Sequence, residues 1–212
     1  MTPDQLQCAS GCAPAVASVW APILTRAAAD WGVATPVRIA GWVSQMAHES
    51  GRFTTLQESL NYSATALVAL FGRHRISVAD AEHYGRTTSH AADQAALANL
   101  LYGGEWGRVN LGNTKLGDGW KFRGRGLKQV TGAANYAACG AALGLPLLEN
   151  PDLLLLPEHA ASSAGWFWAS RRMNALADAR DVVAMTKAVN GGSNGLVERT
   201  ALFKSACLAF GV

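Results

Sequence analysis

Residues 36–58 read PVRIAGWVSQMAHESGRFTTLQE, and the periodicity of this stretch decides the fold. Ile39, Trp42, Val43, Met46 and Ser50 recur at steps of three and four, which predicts a helix over 36–50 with one stripe facing a core. Pro36 suits the first turn. At about 100° per residue, Glu49 falls near Trp42 on the shoulder of that stripe and His48 points nearly the opposite way. Gly51 ends the helix and leaves Glu49 in its last turn, where partial burial and the exposed carbonyls both disfavour a negative charge. That setting suits a proton donor. In an unbroken helix Glu58 would lie about 180° away and roughly 13 Å along the axis. A break at Gly51 instead lets 52–58 fold back and bring Glu58 across a cleft, where a wetter setting keeps a carboxylate ionised.

Outward from this stretch, Ala- and Leu-rich segments punctuated by Gly and Pro predict a mainly α fold, with helices over 14–31, 36–50, 63–71, 77–84, 90–102, 132–143, 157–169 and 179–190. No repeat or low-complexity linker interrupts them, and 212 residues, half of them apolar, suit one domain over 1–212. Gly103–Gly126 holds eight glycines and little helical periodicity, so it reads as a long irregular segment and the first place to expect a cleft wall.

The formal charge of +3 comes from scattered Lys and Arg without a basic run, which argues against a nucleic-acid partner. Cys8, Cys12, Cys139 and Cys207 do not form a disulfide framework and read as reduced, packed thiols; no Cys or His near Cys8 and Cys12 completes a metal set. The start Met-Thr-Pro-Asp-Gln lacks a basic leader with an apolar core, and no stretch approaches 18 apolar residues, so the expectation is cytoplasmic synthesis without membrane insertion.

Three segments carry a family resemblance: AHESGRFTTLQESLNYS at 47–63, FRGRGLKQVTGAANY at 122–136 with GDGW at 117–120 before it, and TKAVNGGSNG at 186–195. In this order they resemble glycoside hydrolase family 19, specifically its compact bacteriophage endolysin branch. The resemblance implies a two-lobed, lysozyme-like, family 19 chitinase-like fold with a central substrate cleft, and an inverting hydrolysis of β-1,4 bonds with Glu49 as general acid and Glu58 as general base. Inversion needs room for a water, hence carboxyl groups roughly 6.5–9.5 Å apart. Thr131 stands where the family places a hydroxyl that holds the attacking water, although capping a helix near Gly132 is its plain alternative. Gln129, Asn135 and Asn190 match amides that bind the sugar chain; each could instead satisfy backbone, and Gly191 and Gly192 make a turn at Asn190 expected in any case. His48 and Tyr62 match further substrate positions, with a surface His and a core Tyr as their alternatives. Arg123 and Arg125 match arginines that support the carboxylates or the cleft. The segment YGGEWGRVNLGN at 102–113 is longer than the phage pattern, which puts subsite contacts on that wall in doubt, and Glu105 within it is a third carboxylate of undefined role.

Other chemistries fail on the residues. GGSNG at 191–195 fits an esterase G-x-S-x-G, but no His follows His159 to complete the triad. Arg52 stands where a zincin would need its second His, and GRGRG lacks the Lys-Ser/Thr of a phosphate loop. Two carboxylates and a water need neither a metal nor an organic cofactor. The expected partner is the glycan strand of bacterial peptidoglycan, attacked by a monomer with no separate wall-binding module that reaches the wall through a holin. A chitinase, a catalytically inactive glycan-binding protein and a toxin-like effector remain the alternatives.

Overall fold

The computed structural model describes every residue except Arg73, and the described residues are mainly helical, with three isolated bridges and no longer strand. In chain order the helices are α1 (Pro3–Ser10), α2 (Pro14–Asp30), α3 (Pro36–Glu49), α4 (Ala64–Phe71), α5 (Val78–Tyr84), α6 (Gln94–Tyr102), α7 (Gly104–Leu111), α8 (Asp118–Lys121), α9 (Ala133–Leu143), α10 (Pro157–Ser170), α11 (Met173–Asp178), α12 (Val182–Asn190) and α13 (Leu196–Phe210), with a 3₁₀ turn at Pro151–Leu155. No single helix is long and apolar enough to cross a membrane.

Helix α3 is the axis of the larger lobe. Thr35 caps it by accepting from the Arg38 N–H, and Pro36 occupies its first turn. Residues 40–47 are all buried, so the expected stripe widens into a helix enclosed on nearly every side by α1, α11, α12 and α13. The apolar interior falls into three clusters. The first joins α1–α3 to α10–α13, with Trp42 and Trp168 wholly buried. The second, around Leu60, Leu67, Leu97 and Leu101, forms the core of residues 60–102. The third, around Phe122, Tyr136, Cys139 and Leu154, lies under the 122–136 segment.

Three expectations change. Gly103–Gly126 is not irregular throughout: α7 and α8 lie within it, because Gly103, Gly112 and Gly117 fall at helix ends and only Gly104, Gly107 and Gly119 inside. Helix α13 was not foreseen. Its apolar residues surround the axis, leaving Val197 and Leu208 exposed while Leu202 and Phe203 are buried, so no one-sided periodicity marks it. The expected helix over 179–190 begins only at Val182, where Asp181 accepts from the Ala184 N–H; α11 precedes it and was not foreseen. Of the cysteines, Cys12, Cys139 and Cys207 are buried thiols, but Cys8 is exposed and Cys12 lies beyond the end of α1.

Candidate active site

The expected break after α3 is a tight reversal. Gly51, Arg52 and Phe53 have φ of 54°, 60° and 67°, three consecutive residues in left-handed space, where the two non-glycines cost energy. Compensation is visible in the contacts. The Ser50 hydroxyl donates to Met46 O at 2.7 Å and accepts from Phe53 N at 2.9 Å, while Ser50 O accepts from Thr54 N and Thr55 N. The Phe53 ring is buried against Trp20 at a centroid distance of 5.8 Å.

The reversal lays 56–58 along 124–126. Gly126 N donates to Leu56 O at 2.8 Å and Glu58 N to Gly124 O at 3.0 Å. Arg125 in turn bridges to Val130, so 124–131 is a small ribbon with Lys128 and Gln129 at its tip.

Each glutamate is held by this ribbon and by one further side chain. Glu58 accepts from the Gly124 N–H at 2.5 Å through one oxygen and from the Tyr102 hydroxyl at 2.7 Å through the other. Burial, and next the charge of Glu58, hold the Tyr102 phenol far above its ordinary pKa, so it remains a donor. Glu49, with a side chain 14% exposed, meets Lys128 Nζ at 3.2 Å and the buried Arg199 guanidinium, which also donates to Gln45 Oε1 at 2.6 Å. Inward placement of Glu49 was expected; two cations around it were not. They take one carboxyl oxygen each, Lys128 on Oε2 and Arg199 on Oε1.

Thr131 and Gln129 sit beside Glu58. The point that a side-chain carbon on Gly124 would occupy lies 2.9 Å from Gln129 Oε1, 3.2 Å from Thr131 Oγ1 and 3.3 Å from the Glu58 carboxyl carbon. The Thr131 hydroxyl donates to Gln129 O at 3.0 Å, and Gly132 is the N-cap of α9, which has no side-chain cap, so the capping role is not taken. Gln129 has φ 58°, donates to Gly126 O at 3.0 Å, and leaves Oε1 buried without a donor among the described residues. An orphan acceptor beside a cleft is a place for a donor from outside the chain.

The remaining candidates divide. Asn135 is exposed, donates to Thr131 O at 2.8 Å, and lines a pocket of about 370 Å³ with Lys128, Gln129 and Thr131. Tyr62 packs edge-on against Phe71, with burial and Glu58 raising its phenol pKa, so it is a core tyrosine that also senses the carboxylate. Asn190 serves the turn: its side chain donates to Asn194 O and accepts from Gly192 N, both at 2.7 Å. His48 lies against Gly195, and its Nδ1 is 2.9 Å from Glu198 Oε2 but too poorly aligned to hydrogen-bond. Arg125 contacts neither glutamate; it pairs with Asp152 at 2.7 Å and donates to the Tyr136 hydroxyl. Arg123 stacks on Trp120 and donates to Gln57, the neighbour of Glu58. Glu105 is an exposed partner of Arg108, outside the cluster. Among the described residues no group of three His, Cys, Asp or Glu side chains could hold a metal ion.

Tyr102, Lys128 and Arg199 are the residues that sequence reasoning missed. Lys128 lies within FRGRGLKQVTGAANY and Tyr102 opens YGGEWGRVNLGN, but Tyr102 and Arg199 stand 44 and 150 residues from the glutamates they contact, and no local pattern pairs them.

A family model described as chitinase class I matches residues 110–190. A glycosyl hydrolase family 19 domain-containing protein of Haemophilus influenzae is 34% identical over 174 residues, covering 82% of this chain and 80% of that protein. The chain belongs to glycoside hydrolase family 19. Endochitinase 1 of Theobroma cacao is 46% identical over 57 residues, 26% of this chain and 18% of that protein. Chitinase C from Streptomyces griseus superposes with a TM-score of 0.62 over 99% of this chain and 76% of its own, at 20% identity, so the fold is the lysozyme-like one of family 19. The protein is a glycoside hydrolase of the family 19 type, and its substrate is a polysaccharide.

Proposed function

We propose that this chain is an endolysin of the bacteriophage branch that hydrolyses the β-1,4 bonds of peptidoglycan with inversion, through Glu49 and Glu58. The observation that carries the reading is the shared ribbon: Gly124 holds Glu58 and Lys128 holds Glu49, so one short segment contacts both carboxyls.

Glu58, held by two hydrogen bonds, is the general base. It removes a proton from a water that the Thr131 hydroxyl steadies, and the water oxygen bonds to the anomeric carbon. Glu49 gives its proton to the departing glycosidic oxygen as the old C–O bond breaks. The orphan Gln129 oxygen, with Asn135, suits the N–H and hydroxyl donors of an N-acetyl sugar.

Peptidoglycan is preferred to chitin on the phage-type segments, on a bacterial relative aligned over most of both chains, and on four cysteines that are all free thiols. In this reading the protein is a monomer made in the host cytoplasm that meets the wall through a holin. The test is clearing of outer-membrane-stripped Gram-negative walls beside colloidal chitin, with Glu49→Gln and Glu58→Gln checked for folding by circular dichroism. Clearing of walls alone, lost in both folded variants, supports the proposal; cutting of chitin alone makes the protein a chitinase; retained activity in either variant overturns the mechanism.

A further inference from the structure

Beside the ribbon that holds the two glutamates lies the pocket of about 370 Å³, lined by Lys128, Gln129 and Thr131 of the ribbon and, at the C-terminal end of α10, by Trp166, Phe167 and Arg171. Two cations share one ring there. Lys128 Nζ and the Arg171 guanidinium carbon each lie 4.9 Å from the centroid of Phe167. Lys128 is neutralised by Glu49, but Arg171 enters no ion pair among the described residues. A cation just past a helix C-terminus offsets the terminal carbonyls, and that accounts for a positive charge at position 171. It leaves the guanidinium itself free to pair: Arg171 is exposed at the pocket and, unlike Lys128, has no carboxylate partner among the described residues. A bound anion supplies that partner. Arg adds a planar fork that matches a carboxylate, and Trp166 adds an apolar face of the kind that packs on a sugar ring or an alkyl side chain.

Chitin is uncharged and gives this pocket nothing to neutralise. Peptidoglycan differs from it by a lactyl group that carries a peptide stem with free carboxylates. We propose that this pocket binds a stem carboxylate through Arg171, so that the enzyme prefers stem-bearing glycan to bare glycan. The inference rests on the peptidoglycan reading.

The experiment compares kcat/KM on soluble, uncrosslinked glycan strands that carry their stems with kcat/KM on the same strands stripped by an amidase and then coupled to methylamine, so that the lactyl carboxylates freed by the amidase are uncharged amides. Wild type, Arg171→Gln and Arg171→Lys are compared at low and high salt. Wild type should favour the stem-bearing strands, with the preference shrinking as salt rises. Arg171→Gln should reduce the preference about five- to tenfold, as expected for a partly exposed charge-assisted contact. Arg171→Lys should retain part of it. A wild type that cuts both strands equally, or an Arg171→Gln variant whose preference stays within about twofold of wild type, overturns the stem site and leaves the peptidoglycan assignment standing. A wild type that cuts neither strand but cuts chitin overturns both.

Discussion

Gly124→Ala is the sharpest single test of how the site is built. The residue is not in left-handed space, so alanine meets no backbone penalty and gains slightly, about 0.4–1 kcal/mol, through the unfolded state. Its methyl group, however, enters the point where Gln129, Thr131 and Glu58 converge, at 2.9, 3.2 and 3.3 Å. Ordinary contacts start near 3.4 Å, so each neighbour has to retreat by a few tenths of an ångström. Gln129 gives first, since its Oε1 is held by nothing and only the bond from Nε2 to Gly126 O resists. Glu58 cannot follow freely, because Tyr102 fixes its other oxygen. Overpacking should cost about 1–3 kcal/mol of stability, partly offset by the chain-entropy gain. A misplacement of about 1 Å costs roughly 10²-fold in rate, so the smaller shift here should lower kcat by about ten- to a hundredfold. KM should change little, because the disturbed groups hold water and proton rather than the length of the glycan. The assay is reducing-end release from soluble glycan with a thermal melt of the same preparation. A folded Gly124→Ala enzyme with more than half the wild-type kcat would refute the claim that these three groups set the reacting geometry.

Arg199→Met should lower stability by about 2–4 kcal/mol, roughly 4–16 °C in melting temperature, since it leaves Gln45 Oε1 buried without its donor and Glu49 with Lys128 as its remaining cation; adding Glu49→Gln should restore part of that loss, and no restoration in the double variant sinks the argument. Stability should also fall in alkali. Burial pushes the Cys139 thiol from 9.0 up to about 12 and, against opposing Arg125, the Tyr136 phenol from 10.0 up to about 12. Above about pH 9 the unfolded chain gives up protons that the folded chain keeps, so stability present below that pH is lost progressively up to about pH 12, on the order of 2–3 kcal/mol for the tyrosine alone. Urea unfolding at about pH 8 and pH 11 checks this, and Cys139→Ala should flatten the lower part of the slope.

Local signals carried most of the fold. Where a helix had one apolar face or a clean cap, as α3, α4 and α10 do, residue spacing located it to within a residue or two. Helix α13 shows the limit: it packs on α3 and α1 with apolar residues on every side, and only the finished fold decides which of them are covered. The same division holds within the site. The break at Gly51 and the return of Glu58 follow from glycine and helix geometry, but the stabilisation of a reversal with Arg52 and Phe53 in left-handed space comes from the buried Phe53–Trp20 contact, which no window of sequence contains. Asn190 shows the converse, since the turn expected from Gly191 and Gly192 occupies both ends of its amide.

The partners of the two carboxyls explain why the cluster sits where the three apolar cores approach one another. Glu49 ends a helix of the first core, Tyr102 ends a helix of the second, and the 124–131 ribbon leads into the third. A rigid acid and base need anchors that do not move with one another's fluctuations, and each core supplies one. Glu58 therefore takes its position from two bodies at once, the 60–102 unit through the Tyr102 hydroxyl and the ribbon through Gly124. Any opening that separates those bodies must break a hydrogen bond to Glu58, so the spacing of the two bodies and the placement of the proposed base are mechanically one property.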